Sequence, residues 1–194
     1  MIRRGLIVAA LAGGALALAC GGDSDSGGIP GVKSAAAACS EKGGKAGGRD
    51  CLPGVTFVDS EGQAITPEQL EGKVVAVNFW ATWCHPCKVE IPALTRFYER
   101  YQDKGFVLLG VLADDVDNTE LEAFAREFGL RYPVIRLDYE VGDAFGLPRG
   151  YPTTYVYDRT GRLRFEEMRA IREAPFEKLI TELLAEPAPA PPGK

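Results

Sequence analysis

The stretch between residues 74 and 92 restricts the fold more than any other. Val74–Trp80, VVAVNFW, is an unbroken β-branched and aromatic run. Such a run is expected of a strand buried on both faces of a sheet, because a half-exposed strand would alternate with polar residues. After Ala81-Thr82-Trp83 the chain reads Cys84-His85-Pro86-Cys87. Apolar residues at 89, 91, 94, 97, 98 and 101 then recur at helical spacing until Gly105 stops the pattern. The spacing predicts a helix over residues 85–103, bent at Pro92. A central strand that feeds straight into a helix opening on C-x-x-C leaves few architectures to choose from.

Flanking segments narrow the choice further. Thr66-Pro67-Glu68-Gln69 offers a capping residue, a proline at the first helical position and a glutamine for a capping box, which predicts a short helical turn. Residues 106–113 read as a second buried strand, and residues 118–128 as a helix ended by Gly129. Strand, helix, strand, helix implies parallel pairing. Residues 153–157 and 163–168 predict an antiparallel hairpin around Asp158-Arg159-Thr160-Gly161, and a last helix covers residues 173–184. The expected class is α/β, a three-layer α/β/α sandwich with a mixed central sheet, which is the thioredoxin arrangement. One domain over residues 52–186 accounts for these elements, without internal repeats.

The ends of the chain have a different character. Residues 1–19 carry Arg3 and Arg4 followed by an uncharged, mostly apolar segment, the layout of a secretory signal and too short to span a membrane. With Cys20 next, the segment resembles a bacterial lipoprotein signal, whose cysteine becomes the lipidated first residue; Ala17 stands where leucine is usual. Residues 20–51 are rich in Gly, Ser and Ala and predict a flexible tether, and residues 187–194 a disordered Pro-rich tail. These features place the domain in the bacterial envelope, facing an oxidising compartment where disulfides persist. The formal charge is −5 with no basic stripe, so nothing favours nucleic acid as a partner.

A C-x-x-C just after a strand puts Cys84 at the amino end of a helix, where free N–H groups and the helix dipole stabilise a thiolate. Cys84, the more exposed, is the expected nucleophile. Cys87, one turn on and shielded, would resolve a mixed disulfide by attacking the Cys84 sulfur. Structural zinc needs four ligands, and the chain's only histidine is His85, locked between the cysteines, with no second C-x-x-C. Copper(I) carriage by two soft thiolates is the remaining metal reading. Dithiol exchange itself needs no cofactor.

At Asn78-Phe79-Trp80, Trp83-Cys84-His85-Pro86-Cys87-Lys88, Glu90 with Pro92, and Tyr151-Pro152-Thr153-Thr154, the chain resembles the TlpA/ResA branch of membrane-anchored, thioredoxin-like thiol-disulfide oxidoreductases. The resemblance covers roughly residues 52–184. It implies reduction of disulfides in envelope proteins, including apocytochrome c before haem attachment, with electrons from a membrane thiol-disulfide donor. Asn78 stands where thioredoxin has a buried aspartate, so proton handling must come from elsewhere. The resemblance assigns it to Glu90; the alternative is a helix-surface glutamate. Pro152 matches the family's cis-proline, with Tyr151 presenting backbone to substrate, and Trp80, Trp83 and Pro86 shielding or lining the site; as core residues, Trp80 and Trp83 would need no function. Reductases of the branch often carry Glu or Val at the position of His85, whereas His is common in oxidases and isomerases. An oxidase or isomerase is therefore the alternative reading, and an exposed, uninfluential His85 stays open.

Cys39 and Cys51 flank a Gly-rich loop. A structural disulfide there would close ~13 residues and restrict the unfolded chain by roughly 3 kcal/mol. An auxiliary pair exchanging with Cys84, or two free thiols, are the alternatives.

Overall fold

The computed structural model describes residue 39 and residues 50–189. The signal segment with Cys20, nearly all of the tether and the last residues of the tail lie outside the described residues.

The domain is organised by β3 (Val74–Trp80), every residue of which is buried. Its side chains alternate between two cores. Val74, Ala76 and Trp80 belong to one and Val75, Val77 and Phe79 to the other. This two-sided burial is what the apolar run requires. On the first face lie α2 (His85–Tyr101), α3 (Asn118–Phe128) and α5 (Glu173–Ala185). On the second lie α1 (Pro67–Leu70), α4 (Tyr139–Phe145) and a small hairpin of β1 (Phe57–Val58) and β2 (Ala64–Ile65).

The main sheet runs in the order β5-β4-β3-β6-β7, with β4 (Phe106–Leu112), β5 (Val134–Arg136), β6 (Thr153–Tyr157) and β7 (Leu163–Glu167). β3, β4 and β5 are parallel, whereas β6 is antiparallel to β3 and β7 to β6. The expected mixed sheet between two helical layers is present. The switch from parallel to antiparallel partners falls at β3, so the crevice beyond its carboxyl end is where α/β sheets place their sites.

Several boundaries differ from the expected ones. The long helix stops at Tyr101 and continues as a 3-10 turn, Gln102–Lys104, before Gly105 takes a left-handed conformation with φ 94°. The helix runs through Pro92 without a break in assignment. The hairpin β1-β2, strand β5 and helix α4 were not anticipated. Asp50 and Cys51, assigned to the tether by composition, instead extend the sheet: Cys51 bridges Arg162, Leu52 N–H donates to Gly161 (2.7 Å) and Leu163 N–H donates to Asp50 (2.9 Å).

Candidate active site

Trp80 ends β3, and four residues later Cys84 becomes the N-cap of α2. Its Sγ accepts from the Cys87 N–H at 3.3 Å, one of the donors that a helix start leaves free. The two cysteines are joined in a disulfide with Cα atoms 5.3 Å apart. Cys84 is 3% exposed and Cys87 0%, so the expected order of exposure holds, but neither lies open. His85 and Pro86, the first two helical residues, are exposed.

Glu90 is on the same helix, three residues beyond Cys87 and therefore on the same face. It is buried at 3% exposure, which removes the helix-surface reading. Its Oε1 accepts from Asn78 Nδ2 and its Oε2 from the Ile171 N–H, both at 2.8 Å. Asn78 also donates to Thr154 Oγ1 at 2.9 Å, tying the strand, the helix and β6 together. Burial pushes the Glu90 carboxyl up to about 7, against the opposing effect of the Ile171 and Asn78 hydrogen bonds. A group titrating near neutrality is suited to proton transfer. Tyr132, wholly enclosed, is raised by burial and by the neighbouring Glu90 charge.

Across the crevice, the Tyr151-Pro152 peptide is cis. Pro152 is buried, and the half-buried Tyr151 ring meets the Trp83 ring edge-on with centroids 5.9 Å apart. Trp83 is 68% exposed, an unusual position for an indole and one expected of a binding surface. Trp80 takes the core alternative: it lines no surface, being 0% exposed and stacked on Phe124 at 5.2 Å, because its even position on β3 points into the core. Phe79 is core, as its position required.

Cys39 and Cys51 are bonded, with Cα atoms 5.8 Å apart. They do not join the site. Cys51 pairs beside the start of β7, and that end of the sheet lies by Val75 of β3, whereas Cys84 follows Trp80 at the other end. Five residues of extended strand separate the two ends by about 17 Å. This geometry removes direct exchange between the pairs within one molecule. Among the described residues no group of three or more His, Cys, Asp or Glu side chains is arranged to hold a metal ion.

Two contributions escaped the sequence reading. The Ile171 N–H is a backbone donor from a loop, which no side-chain pattern reveals. Asp114, two residues past β4, accepts from the Thr82 N–H with both carboxylate oxygens, at 3.1 and 3.2 Å, and from the Thr82 hydroxyl. A long-range contact of this kind has no sequence signal.

The description of the AhpC/TSA family matches residues 49–166, which takes in both cysteines, Glu90 and the cis-proline. The chain belongs to the AhpC/TSA family. Within that family it is a TlpA/ResA-like protein of thioredoxin fold. It is 33% identical over 112 residues to the thiol-disulfide oxidoreductase ResA of Bacillus thuringiensis, covering 57% of this chain and 64% of that protein. It is 38% identical over 112 residues to the ResA of Halalkalibacterium halodurans, covering 56% of this chain and 62% of that protein. The match thus spans somewhat less than two thirds of either relative. A thiol:disulfide interchange protein of the thioredoxin family from Chlorobium tepidum superposes with a TM-score of 0.64 at 27% identity, covering 71% of this chain and 97% of that one.

Proposed function

We propose that the protein is an extracytoplasmic thiol-disulfide oxidoreductase that reduces disulfides in envelope proteins through Cys84 and Cys87. The observation that carries this reading is the Cys84–Cys87 disulfide at the start of α2 with a buried carboxyl, raised to about 7, three residues behind it. The names of the ResA relatives support the reaction class.

In the reducing direction, the Cys84 thiolate attacks one sulfur of a substrate disulfide. A mixed disulfide forms and the other substrate sulfur leaves as a thiolate. Cys87 passes its proton to the Glu90 carboxylate and attacks the Cys84 sulfur, closing the protein disulfide and releasing the second substrate thiolate. Two electrons pass from the dithiol to the substrate, and the released thiolates take up two protons. A membrane thiol-disulfide donor then restores the dithiol. Trp83 and Tyr151 supply the apolar contact for substrate, Pro86 shapes the rim beside Cys84, and the cis peptide before Pro152 turns the backbone of residue 151 toward it. The Cys39–Cys51 bond is structural, and Cys20, lipidated once residues 1–19 are removed, tethers the domain to a membrane on its outer side. Oxidised apocytochrome c awaiting haem fits as one substrate.

Exposed His85 beside Cys84 favours a second reading, because a histidine there stabilises the thiolate and makes the disulfide more oxidising. Equilibration of the Cys84–Cys87 couple against thiol buffers separates the two. A potential near about −250 mV or lower supports the reductase, and one above about −180 mV supports an oxidase or isomerase. Insulin reduction that disappears in Cys84→Ser supports either enzyme; stoichiometric Cu(I) binding without insulin reduction would replace both with a copper carrier.

A further inference from the structure

The loop that presents Cys84 is short and otherwise lightly held. Ala81, Thr82 and Trp83 connect the last residue of β3 to the N-cap of α2. Its backbone is fixed at the ends, where the Ala113 N–H donates to Trp80 O (2.9 Å) and the Cys84 N–H donates to Ala81 O (3.1 Å). Its middle is fixed by Asp114. Both carboxylate oxygens receive the Thr82 N–H, and one also receives the Thr82 hydroxyl, so three hydrogen bonds to a charged acceptor meet on the residue two before the nucleophile. The same carboxylate acts on Tyr151, whose phenol is raised first by burial and then by the Asp114 charge. Tyr151 precedes the cis-proline and touches Trp83. Asp114 therefore stands where three loops converge: the one before α2, the one after β4 and the one before β6.

We propose that Asp114 is a positioning residue that sets the redox equilibrium of the Cys84–Cys87 couple by holding the Thr82-Trp83-Cys84 loop in the disulfide geometry. The inference rests on the oxidoreductase reading above. Two effects act in the same direction. Holding Thr82 keeps Cys84 at a Cα separation from Cys87 that a disulfide can bridge, which raises the effective concentration of one sulfur at the other. The Asp114 carboxylate, bound to the residue two before Cys84, also disfavours a thiolate there, and so disfavours the reduced form. Both favour the disulfide, which makes the dithiol a stronger reductant.

The test equilibrates the full chain, with Cys39–Cys51 intact, against defined ratios of reduced and oxidised glutathione. The dithiol fraction is read by alkylation and mass spectrometry of the peptide carrying Cys84 and Cys87. Asp114→Ala is expected to move the equilibrium toward the dithiol about tenfold, or about 30 mV for a two-electron couple. Asp114→Asn keeps an acceptor but loses the charge, and Thr82→Val loses only the hydroxyl; each is expected to shift it less, in the same direction. Should Asp114→Ala fail to fold, the other two variants carry the test. Equilibria within twofold of the native protein in every folded variant overturn the inference, because a contact that merely stabilises the fold leaves the potential unmoved. A native chain whose Cys84–Cys87 pair never cycles in these buffers overturns the oxidoreductase reading itself, and this inference with it.

Discussion

The two disulfides are the same bond in different surroundings. Cys84–Cys87 closes a separation of 3 residues at a helix start, with a buried protonatable carboxyl behind it and an exposed indole beside it. Cys39–Cys51 closes a separation of 12 at the edge of β7, where Cys51 is already paired with Arg162. The first bond lies where free helix N–H groups stabilise one of the thiolates that its cleavage produces. The second fastens Cys39 to a residue that already pairs with the sheet. Surroundings, and not the bond itself, separate a reactive pair from a structural one.

The largest effect should come from exchanging the roles. Cys84→Ser is expected to abolish disulfide exchange in an insulin assay, whereas the double variant Cys39→Ser, Cys51→Ser should stay within about twofold of the native rate, since only Cys84 has the activating surroundings. Loss of activity in the double variant would show that the second pair takes part in electron transfer.

Stability should reverse that ranking. Removing the Cys39–Cys51 bond is expected to cost about 3 kcal/mol in urea unfolding, from the loop it closes in the denatured chain. Reducing Cys84–Cys87 should cost less, because a separation of 3 residues restricts that chain much less. Equal losses would erase the distinction between a structural and a reactive bond.

A comparable effect should appear with pH at the reactive end. The Glu90 carboxyl is raised from 4.5 to about 7, so between those values the folded protein holds a proton that the unfolded chain has released. Stability from this group is complete below about pH 4.5 and declines as pH rises to about 7, by up to about 3 kcal/mol. The stability of the native protein minus that of Glu90→Gln should therefore fall across this window and be level on either side. A difference that stays level throughout would mean that Glu90 takes up its proton alike in the folded and unfolded chain.

Much of this contrast was legible in the chain and some was not. β3, α2 and the C-x-x-C junction could be read because an apolar run, a helical period and a stop glycine all agree on them. Helix α3 was legible at both ends, since Asp117 accepts from the Glu120 N–H (2.8 Å) and Gly129 takes φ 67°. The β1-β2 hairpin and β5 are two or three residues long, too short for periodicity to register, and are held by partners distant in sequence. Trp80 stood open between lining the site and filling the core, and strand alternation turns it inward against Phe124. Glu90 was legible only as a type at a spacing. That it lies buried between Asn78 and the Ile171 N–H depends on three segments meeting, which sequence alone does not display.

The smallest expected effect concerns His85, and it separates the chemistry of the reactive pole from its shape. His85 is exposed at the first position of α2, so a change of side chain there leaves the core untouched. A protonated imidazole beside Cys84 favours the thiolate and hence the dithiol, so His85→Ala should shift the glutathione equilibrium toward the disulfide by a few fold. Asp114→Ala should move the same equilibrium the opposite way. Opposite signs would show that the couple is balanced between a cationic neighbour and an anionic anchor. Absence of any His85→Ala shift would leave the helix start and the Thr82 loop as the features that distinguish this disulfide from the one at the far end of the sheet.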